Sequence, residues 1–165
     1  MKRRRISARD LGHMAGVLQE VVSRVQAQGW TYIYTPFEGH PVAYGYTVGF
    51  TETFGFPEAV VLGLAQETIG FLFARLAEKL RMCERPPLDQ PLDLGLTVPL
   101  VLRAIPAEVA RTHLKIANVF YEHRTDGYEA VQVVWPDAAG RFPWEAGYER
   151  AGNYQPQLFQ GPPPD

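Results

Sequence analysis

The residues with the greatest chemical capacity lie in one stretch between positions 132 and 145, QVVWPDAAGRFPWE. An arginine can stack on aromatic rings and can bind a carboxylate or phosphate through two donors. Two carboxylates that approach each other can act as acid and base. The stretch therefore predicts either a recognition surface for an anionic ligand or a two-carboxylate hydrolytic site. The residues concerned are two tryptophans, two acids and an arginine: Trp135, Asp137, Arg141, Trp144 and Glu145.

The same stretch also fits a structural interpretation. Asp137 and Gly140 suit the first and fourth positions of a type I turn. Arg141 could then pair with an acid and hold a chain end in place. The sequence leaves both interpretations open.

A second unusual segment runs from Val42 to Phe50 and alternates bulky residues with small ones. A strand face with few side chains lets either a helix or a ligand approach the backbone closely. In the ligand interpretation, Tyr46 and Thr47 contact the bound molecule. The nearly bare face carries Ala43, Gly45, Thr47 and Gly49.

The site hypothesis joins these two segments into one pocket. The tryptophans form apolar walls, the arginine binds the anionic group of a small ligand, and the two carboxylates fix its orientation. The expected ligand-binding residues are Tyr46, Thr47, Trp135, Asp137, Arg141, Trp144 and Glu145.

Motifs for metals and cofactors are missing from the sequence. It contains no GxSxG, no HExxH and no glycine-rich phosphate loop. His113 and His123 are ten residues apart, which is about 15 Å of rise on one helix and too far for one ion. We predict no metal site, and no cofactor can be identified.

A ligand-binding module is the leading hypothesis. A hydrolase that uses Asp137, Glu145 and a histidine is the second, and an immunity or regulatory interaction module is the third.

Composition indicates a folded protein of one domain. The chain has 165 residues, of which 46% are hydrophobic and 21% charged, values typical of a globular domain with a core. A lone cysteine, Cys83, forms no intramolecular disulfide, which favours a reducing compartment. No apolar run approaches the ~20 residues of a membrane span, and none follows the basic N-terminus as in a signal peptide. We therefore expect a soluble, cytoplasmic protein without a membrane partner.

Charge is distributed unevenly along the chain. The formal net charge is −2 although the N-terminus is strongly basic, so the remainder is acidic. An acidic body repels nucleic acid, and we expect no such partner apart from contacts of the basic arm. The sequence does not indicate the oligomeric state. The bases of the arm are Lys2, Arg3, Arg4, Arg5 and Arg9.

Apolar periodicity predicts about three helices and five strands. The first helix carries a stripe from Leu11 to Val25 and ends at Gly29. The second places Cys83 in the core at the end of its stripe, and the third begins at Pro106 and continues to Phe120. Strands are expected at 30–35, 42–50, 59–64, 97–105 and 128–135, with a loop at 51–57. The predicted fold is a single α+β domain (10–158) with a largely antiparallel or mixed sheet, between a basic arm (1–9) and a proline-rich tail (159–165).

Three motifs of the chain resemble a known family of bacterial domains, DUF4262. They are Tyr46-Thr47-Val48-Gly49 with Glu52, Phe56-Pro57-Glu58 before a buried strand, and Val133-Val134-Trp135-Pro136-Asp137 with Gly140-Arg141-Phe142-Pro143-Trp144-Glu145. The resemblance covers roughly residues 29–158. Phe56 departs from the family pattern, which usually has a histidine there, and this weakens a metal or catalytic role for that loop. The resemblance implies a shared fold and a bacterial origin, but no reaction.

Overall fold

The structure is a computed structural model that describes residues 8–165. Most of the expected basic arm lies outside this range, while Ala8 and Arg9 belong to the first helix. The described elements, in chain order, are α1 (Ala8–Gln28), β1 (Thr31–Pro36), β2 (Ala43–Val48), α2 (Phe50–Phe54), β3 (Glu58–Leu62), α3 (Gln66–Arg81), β4 (Pro91–Leu92), β5 (Leu100–Ile105), α4 (Ala107–His113), α5 (Lys115–Phe120) and β6 (Ala130–Val134).

The six strands form one mixed sheet in the order β1-β2-β3-β6-β5-β4. All neighbours are antiparallel except β3 and β6, which run parallel with Glu58 opposite Ala130. The predicted α+β class with a mixed sheet is confirmed. Helix α3 covers one face of the sheet, and α1, α4 and α5 cover part of the other.

Helix α3 packs on the face of β2 that carries few side chains. A Cβ atom built on Gly45 would lie 2.6 Å from a methyl carbon of Ile69 and 3.4 Å from the ring of Phe73. The small residue at this position therefore admits the helix. Of the two occupants that the sequence left open for this face, the helix is the one found there.

Residues 135–162, which follow β6, complete the opposite face of the sheet. The side chains of Arg103 on β5 and Gln132 on β6 point toward this region and donate to its backbone carbonyl groups. Phe142 and Phe159 pack there against the apolar residues of β5 and β6. Among residues 8–165, no helix is both long and apolar enough to span a membrane.

Several predicted elements need correction. Residues 50–54 form a short helix, where the sequence predicted the end of a strand at Phe50 and a loop from residue 51. The third predicted helix is divided into α4 and α5, because Leu114 has a ψ of 63° that interrupts the helical hydrogen bonds. Cys83 is exposed and was wrongly placed in the core. Helix α3 ends at Arg81, and the left-handed φ of 59° at Cys83 turns that side chain away from the apolar stripe.

Candidate functional site

Asp137 organises the turn that follows β6. Its Oδ1 accepts hydrogen bonds from the backbone N–H groups of Ala139 and Arg141. Its Oδ2 accepts from the N–H of Glu149 at 2.9 Å and from the side-chain Nε of Arg141 at 3.2 Å. The side chain of Asp137 is fully buried, whereas that of Arg141 is 43% exposed. These are the contacts of the structural interpretation, in which Asp137 closes a turn and Arg141 pairs with it.

The hydrogen bonds to Asp137 favour its ionised form. The N–H of Glu149 is the largest cause of a pKa below the ordinary value of an aspartate, and the donors of Arg141 and Ala139 act in the same direction. A general acid at neutral pH needs the opposite shift. The carboxylate of Asp137 is therefore suited to holding backbone rather than to transferring protons.

Glu145 and Trp144 also bind within the chain. The carboxylate of Glu145 accepts the N–H of Phe142 at 2.6 Å, which closes a second turn. The ring of Trp144 stacks on Phe142 at a centroid distance of 5.0 Å. The guanidinium of Arg103 lies over the same tryptophan at 5.1 Å and over Phe159 at 4.7 Å.

Arg103 also binds residues 160–162 and holds them next to these aromatic rings. It donates to the carbonyl oxygens of Gln160, Gly161 and Pro162. Its Nε lies 2.7 Å from Oδ1 of Asp89, an ion pair that lacks the alignment of a hydrogen bond. Part of the predicted proline-rich tail is therefore held on the sheet by an arginine whose side chain is only 7% exposed.

Trp135 and Gln155 attach the intervening residues to the sheet. The indole of Trp135 donates to the carbonyl of Leu62 at 2.8 Å. The amide side chain of Gln155 accepts from the Trp135 N–H and donates to the Trp135 carbonyl. Gln155 also donates to the hydroxyl of Tyr148. We call residues 148–158 the cleft segment, because they form one wall of the cleft described next.

The cleft segment faces the turn between β1 and β2 and the end of α4 across a cleft of about 420 Å³. We call it the polar cleft. Its lining contains two histidines, two tyrosines, an arginine and three side-chain amides, but no carboxylate. The lining residues are Phe37, His40, His113, Tyr148, Arg150, Asn153, Tyr154, Gln155, Pro156, Gln157 and Leu158.

Aromatic contacts order the histidines of the polar cleft. The ring of Phe37 lies 4.7 Å from that of His40 and 4.9 Å from that of His113, measured between centroids. The Nδ1 of His40 is hydrogen-bonded to the hydroxyl of Tyr154 at 2.5 Å. The β1–β2 turn and the cleft segment therefore meet at this pair. Since Tyr44 donates to the carbonyl of His113 at 2.7 Å, the end of α4 is fixed as well.

Arg150 gives the polar cleft a positive charge, which favours anions. Burial lowers the pKa of His113, and the neighbouring charges of His40 and Lys115 lower it further. Within residues 8–165, Arg150 forms no ion pair with a carboxylate. Its charge is available to a bound molecule.

The remaining predicted site residues, Tyr46 and Thr47, point to opposite faces of the sheet. The hydroxyl of Tyr46 accepts the N–H of Ile116 at 3.1 Å. The hydroxyl of Thr47 donates to Glu58 at 2.6 Å and accepts the N–H of Ala59. Neither residue lines the polar cleft. That these residues bind a ligand stays a prediction, and the contacts found for them are internal.

Glu58 is a fully buried carboxylate with five donors. The backbone N–H groups of Gly49, Phe50 and Thr51 all point to it, at distances of 3.0 to 3.4 Å. The hydroxyls of Thr47 and Tyr121 also donate to it, at 2.6 and 2.5 Å. Burial raises the pKa of Glu58 and the hydrogen bonds oppose that shift. The carboxylate holds the first turn of α2 against β3 and α5.

The polar cleft could not be located from sequence motifs. Arg150 and Tyr154 lie in an irregular segment without periodicity, and His40 lies in a predicted turn. The sequence pointed to His113 only in the test of a metal site shared with His123. A useful signal was the run of Tyr148, Arg150, Asn153 and Tyr154, which concentrates hydrogen-bonding side chains near the third motif. Among the described residues, no group of three or more His, Cys, Asp or Glu side chains could hold a metal ion.

Comparison with known proteins gives one family. The family described as "Domain of unknown function (DUF4262)" matches residues 24–149. No curated protein and no solved structure matches the chain. The matched range contains Glu58 and the turn closed by Asp137. Arg150 and the later residues of the cleft segment lie beyond it, whereas His40 and His113 lie within it.

Proposed function

The chain belongs to the DUF4262 family, a domain of unknown function, and from this premise we propose that it binds a small anionic ligand in the polar cleft. The observation that carries the proposal is the charge of the lining. Arg150 supplies the positive charge at pH 7, the imidazoles of His40 and His113 line the same cleft, and no carboxylate lines it. An arginine offers several donors in a fixed planar arrangement, which suits carboxylate and phosphate groups.

The size and the polarity of the cleft agree with a small molecule. Its volume of about 420 Å³ falls in the range of known ligand pockets, about 300 to 1,000 Å³. The side-chain amide of Gln157 lies in the lining and adds a further hydrogen-bonding group. The exposed ring of Tyr154, 42% accessible, offers a surface for a planar portion of the ligand.

In this proposal the third sequence motif holds the cleft segment in place through hydrogen bonds. Asp137 fixes the backbone at Glu149, one residue before Arg150. Trp135 fixes Gln155, one residue after Tyr154. Supporting hydrogen bonds of this kind hold binding groups in place and reduce the ordering cost of binding.

The hydrolase alternative has less support. Both oxygens of Asp137 accept hydrogen bonds from the chain, and Glu145 accepts the N–H of Phe142. A two-carboxylate mechanism needs one carboxyl that keeps its proton near neutral pH. The lowered pKa of Asp137 runs against that requirement.

Thermal denaturation with a panel of anions tests the proposal. The panel contains sulfate, citrate and AMP, with adenosine as the neutral counterpart of AMP and sodium chloride added to equal ionic strength. We expect at least one anion to raise the Tm of the wild-type protein above the chloride control. We expect Arg150→Gln to lose most of that shift.

Arg24→Gln is the matched control for the loss of one positive charge. Arg24 is an exposed residue of α1 that pairs only with Glu20 among the described residues and lies outside the polar cleft. The control should keep the full shift. If no anion raises the Tm, or if Arg150→Gln retains the whole shift, the proposal is wrong.

A further inference from the structure

A second cleft, of about 460 Å³, lies between α1, α2 and the end of α5. We call it the apolar cleft. It shares no lining residue with the polar cleft. Its lining residues are Leu18, Val22, Val25, Gln26, Glu52, Thr53, Val119, Phe120 and His123.

The wall on α1 comes from an apolar stripe that the fold covers incompletely. Of the apolar stripe predicted from Leu11 to Val25, Val21 is the one buried member among the described residues of α1. Val22 is 36% exposed, and Leu18 and Val25 are partly buried. Val119 and Phe120 of α5 face them across the cleft. An amphipathic helix normally buries such a stripe, so this cleft leaves apolar surface available to a ligand.

One side chain gives the apolar cleft a negative charge. Glu52 is the acid in the lining, and no lysine or arginine accompanies it. Within residues 8–165, the carboxylate of Glu52 forms no ion pair with a base. The charge of the lining at neutral pH is thus complementary to a cation.

The buried carboxylate of Glu58 holds Glu52 in position. Glu58 accepts the N–H groups of Phe50 and Thr51, which fixes the start of α2. Thr53, next to Glu52, donates to the carbonyl of Gly29 at 2.5 Å. Since both neighbours of Glu52 are anchored, its backbone is fixed relative to α1, and the wall exists before a ligand arrives.

We propose that the apolar cleft is a binding site for a small amphipathic amine. The apolar body of the ligand lies against Val22 and Phe120, and its ammonium group pairs with Glu52. The volume suits a molecule with one aromatic ring and a short amine chain. This site is independent of anion binding in the polar cleft, and each can fail without the other.

An NMR titration of the ¹⁵N-labelled protein at pH 7.5 tests the proposal with two probes of the same shape. Phenethylamine carries an ammonium group, and 2-phenylethanol replaces it with a neutral hydroxyl. We expect both to shift the amide signals of α1, α2 and α5. The amine should bind about tenfold more tightly, because its ammonium group forms an ion pair with the carboxylate of Glu52, whereas the hydroxyl of the alcohol donates a hydrogen bond without a charge of its own.

Two carboxamide variants separate the role of Glu52 from a general loss of charge. Glu52→Gln should reduce the affinity for phenethylamine about tenfold and leave that for 2-phenylethanol unchanged. Glu67→Gln removes the acid in the first turn of α3, which does not line the cleft, and should change neither. Equal affinities for the two probes in the wild-type protein, or an unchanged amine affinity in Glu52→Gln, would overturn the proposal.

A variant that fills the cleft tests the apolar wall. Val22 is partly exposed, so Val22→Trp can place its larger ring in the cleft without disturbing the buried core, and circular dichroism checks that the fold is kept. Both probes should then lose binding at least about tenfold. If a folded Val22→Trp protein binds them as the wild type does, the ligand lies elsewhere and the proposal is wrong.

Discussion

The carboxylate of Asp137 accepts the backbone N–H of Glu149 at 2.9 Å across twelve residues of sequence. This bond connects the turn after β6 to the start of the segment that lines the polar cleft. Glu149 directly precedes Arg150, the strongest base in the lining. The motif around Asp137, the most distinctive of the sequence, is therefore connected to the proposed site by a single hydrogen bond.

We predict that Asp137→Asn weakens anion binding and lowers the Tm. In the asparagine a nitrogen replaces one carboxylate oxygen, so either the N–H of Glu149 or the N–H groups of Ala139 and Arg141 meet a donor, and the negative charge that strengthens all of these bonds is lost. The anchor of the cleft segment is therefore weakened. Calorimetry with sulfate measures the affinity. Asp126→Asn, a change at an exposed acid, should leave both affinity and Tm unchanged.

The same residue predicts a pH dependence of stability. Because the folded pKa of Asp137 is lowered, its contribution is present above the unfolded value of about 3.9 and is lost as the pH falls through the folded value. Asp137→Asn should therefore be less sensitive than the wild type to acid below about pH 4. Urea unfolding at several pH values measures this. If the wild type and Asp137→Asn lose the same unfolding free energy below about pH 4, the assignment is wrong.

We predict that Gly63→Ala destabilises the protein and weakens sulfate binding. Gly63 has a φ of +83°, and its added Cβ would overlap the carbonyl oxygen of Tyr154 in the cleft segment. Gly127→Ala is the matched control, since Gly127 also has a positive φ, +63°, but has nothing within 4 Å of its Cβ position. The control should show the cost of backbone strain alone. If both variants lose the same Tm and affinity, the contact between position 63 and Tyr154 does not contribute to stability or binding.

We predict that Thr47→Val lowers the free energy of unfolding by about 1–3 kcal/mol. Valine keeps the shape but removes the hydroxyl that donates to Glu58 and accepts from Ala59. Thr47→Ser keeps the hydroxyl and should lose less. Urea unfolding measures both, and a serine variant that is as unstable as the valine variant would indicate packing rather than hydrogen bonding.

We predict that sulfate binds more tightly as the pH falls below about 6.5, the ordinary pKa of histidine. The pKa of His113 is lowered, so its imidazole is neutral at pH 7 and gains its charge only at more acidic pH. Sulfate keeps its own charge over this range. His113→Gln should reduce the pH dependence measured by calorimetry, whereas His123→Gln, outside the polar cleft, should retain it.

Local sequence patterns predicted the elements of this fold better than their ends and their partners. The stripes of α1 and α3 and the alternation of β2 depend on neighbours in sequence, and these elements are found where expected. The break at Leu114 and the exposure of Cys83 depend on single backbone angles. The parallel pairing of β3 with β6 joins strands about 70 residues apart, and no local pattern specifies it.

The candidate site was harder to predict because its residues come from three distant places. Phe37 and His40 follow β1, His113 ends α4, and Arg150 lies in an irregular segment. The motif around Asp137 and Arg141 was recognisable, since aromatic and charged residues are concentrated there. Its contacts, however, only become clear once the cleft segment is placed beside it.

The proposed function requires that anions bind in the polar cleft rather than at the turn of Asp137 and Arg141. An NMR titration with sulfate tests it directly through the imidazole signals of His40 and His113 and the indole signal of Trp144. We predict that both imidazoles shift and saturate with one Kd while the indole of Trp144 stays unchanged. Saturable shifts of Trp144 and of the Arg141 side chain, with unmoved imidazoles, would contradict the account.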